Sequence, residues 1–412
     1  MSQVAARFAR VEPFRHACDL VMGLMSELPR KNCWTIAEHV GAVSPAAMQH
    51  LLSRASWDAD GVRDDLRDYV CAGLGDEGAV LVVDETGDVK KGTATVGVQR
   101  QYTGTAGRIE NAQVAVYLTY ATDAGHAFID RELYLPKSWT TDPERLAAAG
   151  VPDDTEFQTK PALARQMITR ALDAGASASW VAGDEVYGAD PRLRAELEDR
   201  RVGYVLAVAC DHRVATAAGK KRADEIAEQL PRQAWQRLSA GAGAKGPRLY
   251  DWALVDIDDA DQPGHRWLMV RRNQITGELA YYRCYAPEPV GLSTLVKAAG
   301  RRWTVEESFQ TGKGLCGLDE HQVRTWTSWQ RWTILSMLAH AFLAITAARE
   351  RSTRPAPVGL IPLTCNEIQH LLNVTATQPA PDRRDHQRWS TWRRRHQHRS
   401  KLCHYQQRTA RT

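Results

Sequence analysis

Residues 79 to 87 read Ala-Val-Leu-Val-Val-Asp-Glu-Thr-Gly, an apolar, β-branched run that gives way to two carboxylates. Such a run is a buried strand, and the acids and Thr-Gly that follow set Asp84 at its end. An acid closing a core strand can simply turn the chain into solvent, because Asp favours turns. A second copy of the pattern points elsewhere. Residues 180 to 188 read Trp-Val-Ala-Gly-Asp-Glu-Val-Tyr-Gly, again a short apolar strand, then Asp-Glu, then glycine. If these strands are neighbours in one sheet, Asp84 and Asp184 share an edge. Two carboxylates so placed outline a site for Mg²⁺, a hard cation that takes oxygen ligands and keeps several waters beside one or two carboxylates and substrate phosphate.

A third carboxylate lies in the stretch 301 to 313, Arg-Arg-Trp-Thr-Val-Glu-Glu-Ser-Phe-Gln-Thr-Gly-Lys. At about 100° per helical residue, Arg302, Glu306 and Lys313 fall at roughly 0°, 40° and 20°, one narrow stripe, while Glu307 falls near 140°. This stripe is either a solvated face of ordinary ion pairs or a carboxylate ligand flanked by two phosphate-binding cations. Trp303, Val305 and Phe309 beside it mark a helix that is largely packed.

Around these landmarks the chain changes texture. Residues 1–75 show helical periodicity and caps, and within them Thr35 to Val40, a Gly41 turn and Ser44 to Leu52 resemble a helix-turn-helix, with Ser44 as N-cap and Pro45 as the first helical residue. An ordinary helical hairpin reads the same way. From Ala79 strands dominate: 80–84, 114–122 and 127–135 form a three-stranded antiparallel meander. Then come a helix over 160–174, a strand over 180–183, a helix over 190–201 and a strand over 203–209, an α/β pattern. Residues 211 to about 280 are looser, with Ala240-Gly-Ala-Gly243, and read as an inserted β-rich piece rather than a core element. Helical character returns over 292–351, and a short helix near 365–372 precedes the tail. The expected divisions are 1–75, 76–210, 211–285, 286–350 and 351–412.

The total charge of +4 conceals an asymmetry: residues 383–412 hold ten Lys or Arg against one acid, Asp385, so this tail carries +9 and the remainder −5. A tail of this kind, with Arg393, Arg394, Arg395, Trp389 and Trp392, is expected to bind a DNA backbone by counterion release without reading sequence; a merely solubilising tail is the alternative. The eight cysteines form no CxxC pair and no zinc-spaced cluster with histidine, which suits a reducing cytoplasm. No basic-then-apolar leader follows Met1, so secretion is not expected. The longest apolar run, 333–348, is shorter than the roughly 20 residues that span a bilayer and contains Ser336 and His340. It reads as a buried helix, and no membrane partner is expected.

With Asp84, Asp184 and Glu306 in place, the chain resembles DDE-superfamily transposases of bacterial insertion sequences, and in particular the insertion-sequence 701 family, allied to the insertion-sequence 4 group. The resemblance rests on DETGDVKKG (84–92), RQYTGTAGRIENAQ (100–113), GDEVYG (183–188) and RRWTVEESFQTGKGLCGLDEHQVRTWTSWQRW (301–332), and runs from about Trp57 to Leu343. The larger group's signature is Tyr, two residues, Arg, three residues, Glu, six residues, Lys; Arg302, Glu306 and Lys313 fit it, and the tyrosine position holds Ala299. That departure bears on how a transposon end is held and leaves the acidic triad untouched.

The resemblance implies an α/β, ribonuclease-H-like (retroviral-integrase-like) core interrupted by a β-rich insertion, and two-metal phosphodiester chemistry. Two Mg²⁺ ions about 4 Å apart, with Mn²⁺ able to substitute, activate the attacking water or 3′-hydroxyl and stabilise the leaving 3′ oxygen. Asp84 is then expected to bridge both ions, with Asp184 on one and Glu306 on the other. Double-stranded DNA, as terminal inverted repeats and as target, is the implied partner, with a homodimer in the DNA complex and a nucleoid-associated place in a bacterial cytoplasm.

Other residues support this less directly. Lys90, Lys91, Arg100 and Arg108 flank the turn after the first strand and can meet phosphates or form a solvated hairpin. Trp326, Trp329 and Trp332, with Arg324 and Arg331, suit either an unpaired base or the core. Glu85, one strand residue beyond Asp84, points to the opposite face and has no assigned role. A glycosidase has no use for Lys313 beside its acid. A domesticated descendant that binds DNA without cutting it is the alternative function.

Overall fold

A computed structural model describes residues 1–216, 219–243, 246–257, 263–375 and 383–409. The linker at 376–382 and the last three residues of the basic tail lie outside the described residues.

Four helices open the chain: α1 (Val11–Leu24), α2 (Cys33–His39), α3 (Ala46–Ser53) and α4 (Ala59–Leu74). The start of α2 is fixed by a reciprocal capping box, in which the Asn32 side chain accepts from Trp34 N and Thr35 N while Thr35 Oγ1 accepts from Asn32 N. Gly41, at φ 73°, makes the turn to α3. The N-cap of α3 is Pro45, one residue later than the sequence suggests, and Ser44 Oγ accepts weakly from Ala46 N at 3.4 Å. Leu20, Leu24, Leu51 and Leu66 are fully buried in the main core.

The strands and short helices follow: β1 (Val80–Val89), β2 (Gln99–Thr103), β3 (Arg108–Ala121), β4 (His126–Leu133), α5 (Lys137–Thr140), α6 (Pro143–Ala149), α7 (Lys160–Asp173), β5 (Trp180–Gly183), α8 (Glu185–Gly188), α9 (Pro191–Asp199) and β6 (Gly203–Val208). Strand β1 lies between antiparallel β3 and parallel β5, and β6 pairs parallel to β5. The expected three-stranded meander has a fourth member, β2, which shares one edge of β3 end to end with β4. Strand β1 also does not stop at Asp84. Its parallel pairing ends at Val83↔Gly183, but its pairing with β3 continues to Val89↔Ala112.

Side chains alternate along β1, so Asp84, Thr86 and Asp88 occupy one face and Glu85 the other. The first face looks toward Arg302 and Lys313, and the second toward Lys160 and Tyr187. Helices therefore cover both sides of the sheet at this point, and a strand buried on both faces reads as an apolar run.

The β-rich stretch comprises β7 (Arg213–Thr216), β8 (Gly219–Arg222), α10 (Ala223–Glu228), β9 (Gln236–Gly243), β10 (Gly246–Asp256), β11 (His265–Arg272) and β12 (Leu279–Ala286). It is not set apart from the core sheet, as the sequence reading had it. Strand β12 pairs antiparallel to β6, so the order runs β2-β3-β1-β5-β6-β12-β11-β10-β9, and β7-β8 forms a separate hairpin.

Five helices complete the described chain: α11 (Leu292–Arg301), α12 (Trp303–Cys316), α13 (Trp326–Thr353), α14 (Cys365–Thr375) and α15 (Arg383–Thr409). Leu295, Val296 and Ala299 of α11 pack with Trp252, Met269 and Cys284 of the added strands. Helix α11 crosses β9 so closely that a Cβ at Gly300 would strike the Ala240 carbonyl. Among the described residues α13 alone is long and apolar enough to cross a membrane, and 89% of its most apolar window is buried inside the protein.

Candidate active site

Asp84 and Asp184 leave the sheet side by side. The register Val83↔Gly183 puts them at the next position of adjacent parallel strands, which run about 4.8 Å apart. Asp84 Oδ1 accepts from Glu85 N at 2.7 Å. Asp184 is the N-cap of α8, its Oδ1 accepting from Val186 N at 2.9 Å, so the second acid is followed by a helical turn where the sequence suggested a glycine turn. Gly188 closes that turn because a Cβ there would collide with the Ala207 carbonyl oxygen of β6. The GDEVYG motif thus presses α8 onto the sheet and fixes Asp184.

The two acids strain against each other. Burial, then the negative charges of Asp184 and Glu85, push the Asp84 carboxyl up to about 7, with Arg302 opposing. Burial and then Glu85 also raise Asp184. Glu85 has a definite place on the far face, where it binds Lys160 Nζ at 2.6 Å and accepts from Tyr187 Oη at 2.5 Å. Those contacts bind β1 to α7 and to α8, the turn that carries Asp184.

Glu306 approaches from α12 on the Asp84 side. Between them lies the Arg302 guanidinium, 3.7 Å from Asp84 Oδ2 and 3.1 Å from Glu306 Oε1. Glu307 turns away: its Oε2 is 3.3 Å from His126 Nε2, and His126 Nδ1 shares a 2.7 Å hydrogen bond with Ser308 Oγ. Lys313, at the other end of the stripe, donates to Thr86 Oγ1 at 2.8 Å and stands 3.7 Å from Asp88 Oδ1. The helical spacing of Arg302, Glu306 and Lys313 therefore does run along β1.

Among the described residues no three His, Cys, Asp or Glu side chains gather closely enough to hold one metal ion. Asp84 and Asp184 stand at one sheet edge, and Glu306 is joined to Asp84 through a cationic side chain, Arg302. Three carboxylates cannot close on one another without positive charge among them, and the guanidinium stands in for that charge. A half-buried acid pair beside a third acid joined through an arginine is a donor set suited to a hard divalent metal.

The remaining expected contacts are distributed unevenly. Lys91 and Arg100 are exposed, whereas Lys90 is largely buried and donates to the His321 carbonyl at 3.3 Å. Arg108 is exposed and paired with Glu110. Trp329 and Trp332 are core residues, each 1% exposed, and Trp326 is half-buried. Arg331 is buried and donates to the carbonyls of Leu51 and Trp57, and Arg324 is exposed.

The tail is a helix docked on the N-terminal hairpin rather than a free appendage. Trp389 is buried and donates to the Ala42 carbonyl at 3.0 Å; Trp392 packs on Trp34 at 4.6 Å; Arg393 pairs with Glu38 at 2.5 Å. Arg394 and Arg395 face solvent. Residues that sequence reasoning passed over are Thr86, Asp88, His126 and His321. The alternation Asp84, Thr86, Asp88 was the available signal for the first two.

Comparison with known proteins adds the following. A probable transposase for insertion sequence element IS701 from Microchaete diplosiphon is 30% identical over 233 residues, which are 56% of this chain and 55% of that protein. The chain thus matches little more than half the length of this curated relative. A structure of the piggyBac transposase synaptic complex with hairpin DNA aligns over 93% of this chain and 76% of its own, at 12% identity and a TM-score of 0.46. A transposase DDE domain profile matches residues 158–342, which include Asp184 and Glu306. The profile of the DDE superfamily endonucleases matches residues 3–244, more than half the chain and a span that includes Asp84 and Asp184. This protein belongs to the DDE superfamily of endonucleases.

Proposed function

We propose that this chain is a transposase that cleaves and joins DNA strands at the ends of an insertion sequence, using divalent metal held by Asp84, Asp184 and Glu306. The observation that carries the reading is the pair Asp84 and Asp184 at one sheet edge, with Arg302 joining Asp84 to Glu306. Two Mg²⁺ ions, or Mn²⁺ in their place, would supply an activated water or 3′-hydroxyl and charge neutralisation at the leaving 3′ oxygen.

The chain's own residues do the rest. Arg302 and Lys313, one at each end of the Glu306 stripe, are placed to grip phosphate oxygens on either side of the reacting bond. Arg302 would exchange its carboxylate partners for a substrate phosphate, leaving Asp84 and Glu306 to hold the metal. Burial keeps Asp84 in a poorly solvated setting, where the Glu85 N–H and Arg302 offset only part of the cost of its charge. Lys91, Arg100, Arg394 and Arg395 add exposed positive charge for the flanking duplex.

In this reading the sheet β2-β3-β1-β5-β6 with α7, α12 and α13 is a ribonuclease-H-like core, and residues 211–285 are the β-rich insertion. Residues 1–75 and the helix α15 form the DNA-holding periphery. Terminal inverted repeats and target duplex are the partners, and two copies of the chain hold two ends. A bacterial cytoplasm, at the nucleoid, is where such a protein works.

The test uses purified protein, Mg²⁺ and a duplex ending in the short inverted repeats that flank the gene. Nicking at the repeat boundary, absent from a duplex with scrambled repeats, is expected. Binding to both duplexes without cleavage of either would identify a DNA-binding descendant instead.

A further inference from the structure

Two strand steps past Asp84 the same face of β1 carries a second acid that the proposed chemistry does not use. Asp88 is 14% exposed at its side chain and is faced by two lysines and a histidine from three separate segments. Lys313 from α12 stands 3.7 Å from its Oδ1; His321, in the loop after α12, is 3.3 Å from its Oδ2; Lys90 at the end of β1 is 4.0 Å from the same oxygen. With Nε2 protonated the His321 ring donates to Asp88, and Lys90 donates to the His321 carbonyl at 3.3 Å. Burial pushes the Asp88 carboxyl up, but the His321 hydrogen bond and the charges of Lys90 and Lys313 outweigh it and leave Asp88 below the ordinary carboxylate range. His321 is itself fully buried, and burial lowers it toward the neutral ring.

The geometry sets a direction. Lys313 donates to Thr86 Oγ1 at 2.8 Å and reaches Thr105 Oγ1 at 3.4 Å, so its ammonium lies over β1 between Asp84 and Asp88. One strand repeat of two residues is about 7 Å, so that ammonium is held within one phosphate's reach of Asp84. A lysine has a flexible stem and about 2 kcal/mol of rotamer entropy; holding it at one point requires fixed partners. Thr86 and Asp88 are those partners, and Asp88 is in turn held by His321.

We propose that Asp88 is a positioning residue: its carboxylate, braced by His321, holds the Lys313 ammonium over Thr86, beside Asp84, for a substrate phosphate. This rests on the proposed strand-cleavage reading only for the identity of the phosphate. A carboxylate that merely balanced charge in the fold would leave Lys313 free to move when removed without consequence for cleavage.

The experiment has two arms, run on the full chain with Asp88→Asn, Lys313→Ala and the double variant, each first checked for a cooperative thermal transition. In the first arm, acylation of Lys313 by an amine-reactive reagent is followed by mass spectrometry without DNA. Labelling several-fold faster in Asp88→Asn than in the wild type is expected, and an unchanged rate overturns the proposal. In the second arm, end cleavage should fall by the same factor in Asp88→Asn, in Lys313→Ala and in the double variant, while DNA affinity of Asp88→Asn does not weaken, since a negative charge has been removed. Multiplicative losses in the double variant overturn the proposal and leave Asp88 as a fold element. Should the wild type cleave nothing, the strand-cleavage reading fails, and the labelling arm alone decides the position of Lys313. Should Asp88→Asn not fold, Thr86→Val, which removes the other partner, replaces it in both arms with the same expected and contrary results.

Discussion

At the scale of single residues the site is organised by unshared negative charge. Asp84 goes from an ordinary value of 3.8 to about 7 on folding, chiefly through burial, then through Asp184 and Glu85. The folded chain therefore holds a proton on Asp84 more tightly than the unfolded chain. The stability this proton confers is complete below about pH 4 and is lost as pH rises through about 7. Above that point a charged Asp84 opposes folding unless a cation accompanies it. Asp84→Asn in EDTA should accordingly raise the melting temperature at pH 8 and change it little at pH 4. An equal shift at both pH values, or none at pH 8, would show that the carboxyl is not strained in this way. Arg302 moderates the strain without removing it, since it shares its guanidinium between Asp84 and Glu306.

At the scale of elements, the parts that could be read in the sequence are those whose signal is local. The runs before Asp84 and Asp184 are apolar because β1 and β5 are buried on both faces, and the helical stripe of Arg302, Glu306 and Lys313 is a property of spacing alone. What escaped the reading depends on distant partners. Thr86 and Asp88 look like loop residues, yet β3 carries β1 on to Val89, and Lys313 and His321 satisfy the acid. The stretch from β9 to β12 looks loose because it is glycine-rich and polar, and its place in the sheet is set by β6 and α11. Glu85 gained its role from Lys160 and Tyr187, 75 and 102 residues away. The short helix α8 offers the sharpest test at this scale. Because Gly188 leaves no room for a Cβ against the Ala207 carbonyl, Gly188→Ala should lower unfolding stability by about 1–3 kcal/mol, read by urea denaturation. A neutral substitution would mean that α8 is not pressed on β6.

At the scale of the whole molecule, the two ends of the chain meet. Helix α15 carries the chain's excess positive charge and is anchored on α2 by Trp392 and Arg393 and on the turn after it by Trp389, so the helical hairpin and the basic helix form one continuous surface. Composition revealed the charge of this segment but not its docking, because its few apolar anchors find their partners more than 340 residues away. Removing residues 383–412 should expose Trp34 and flatten the dependence of log Kd for DNA on log salt, and an unchanged slope would place the binding charge elsewhere. The central claim, however, is the acidic site. It is tested most directly by end cleavage in Mg²⁺ for the wild type, Asp84→Ala, Asp184→Ala, Glu306→Gln and Glu307→Gln. Loss to background in the first three variants with wild-type cleavage in Glu307→Gln is the expected result. Cleavage that survives Asp84→Ala or Asp184→Ala, or loss in Glu307→Gln while Glu306→Gln stays active, would contradict it.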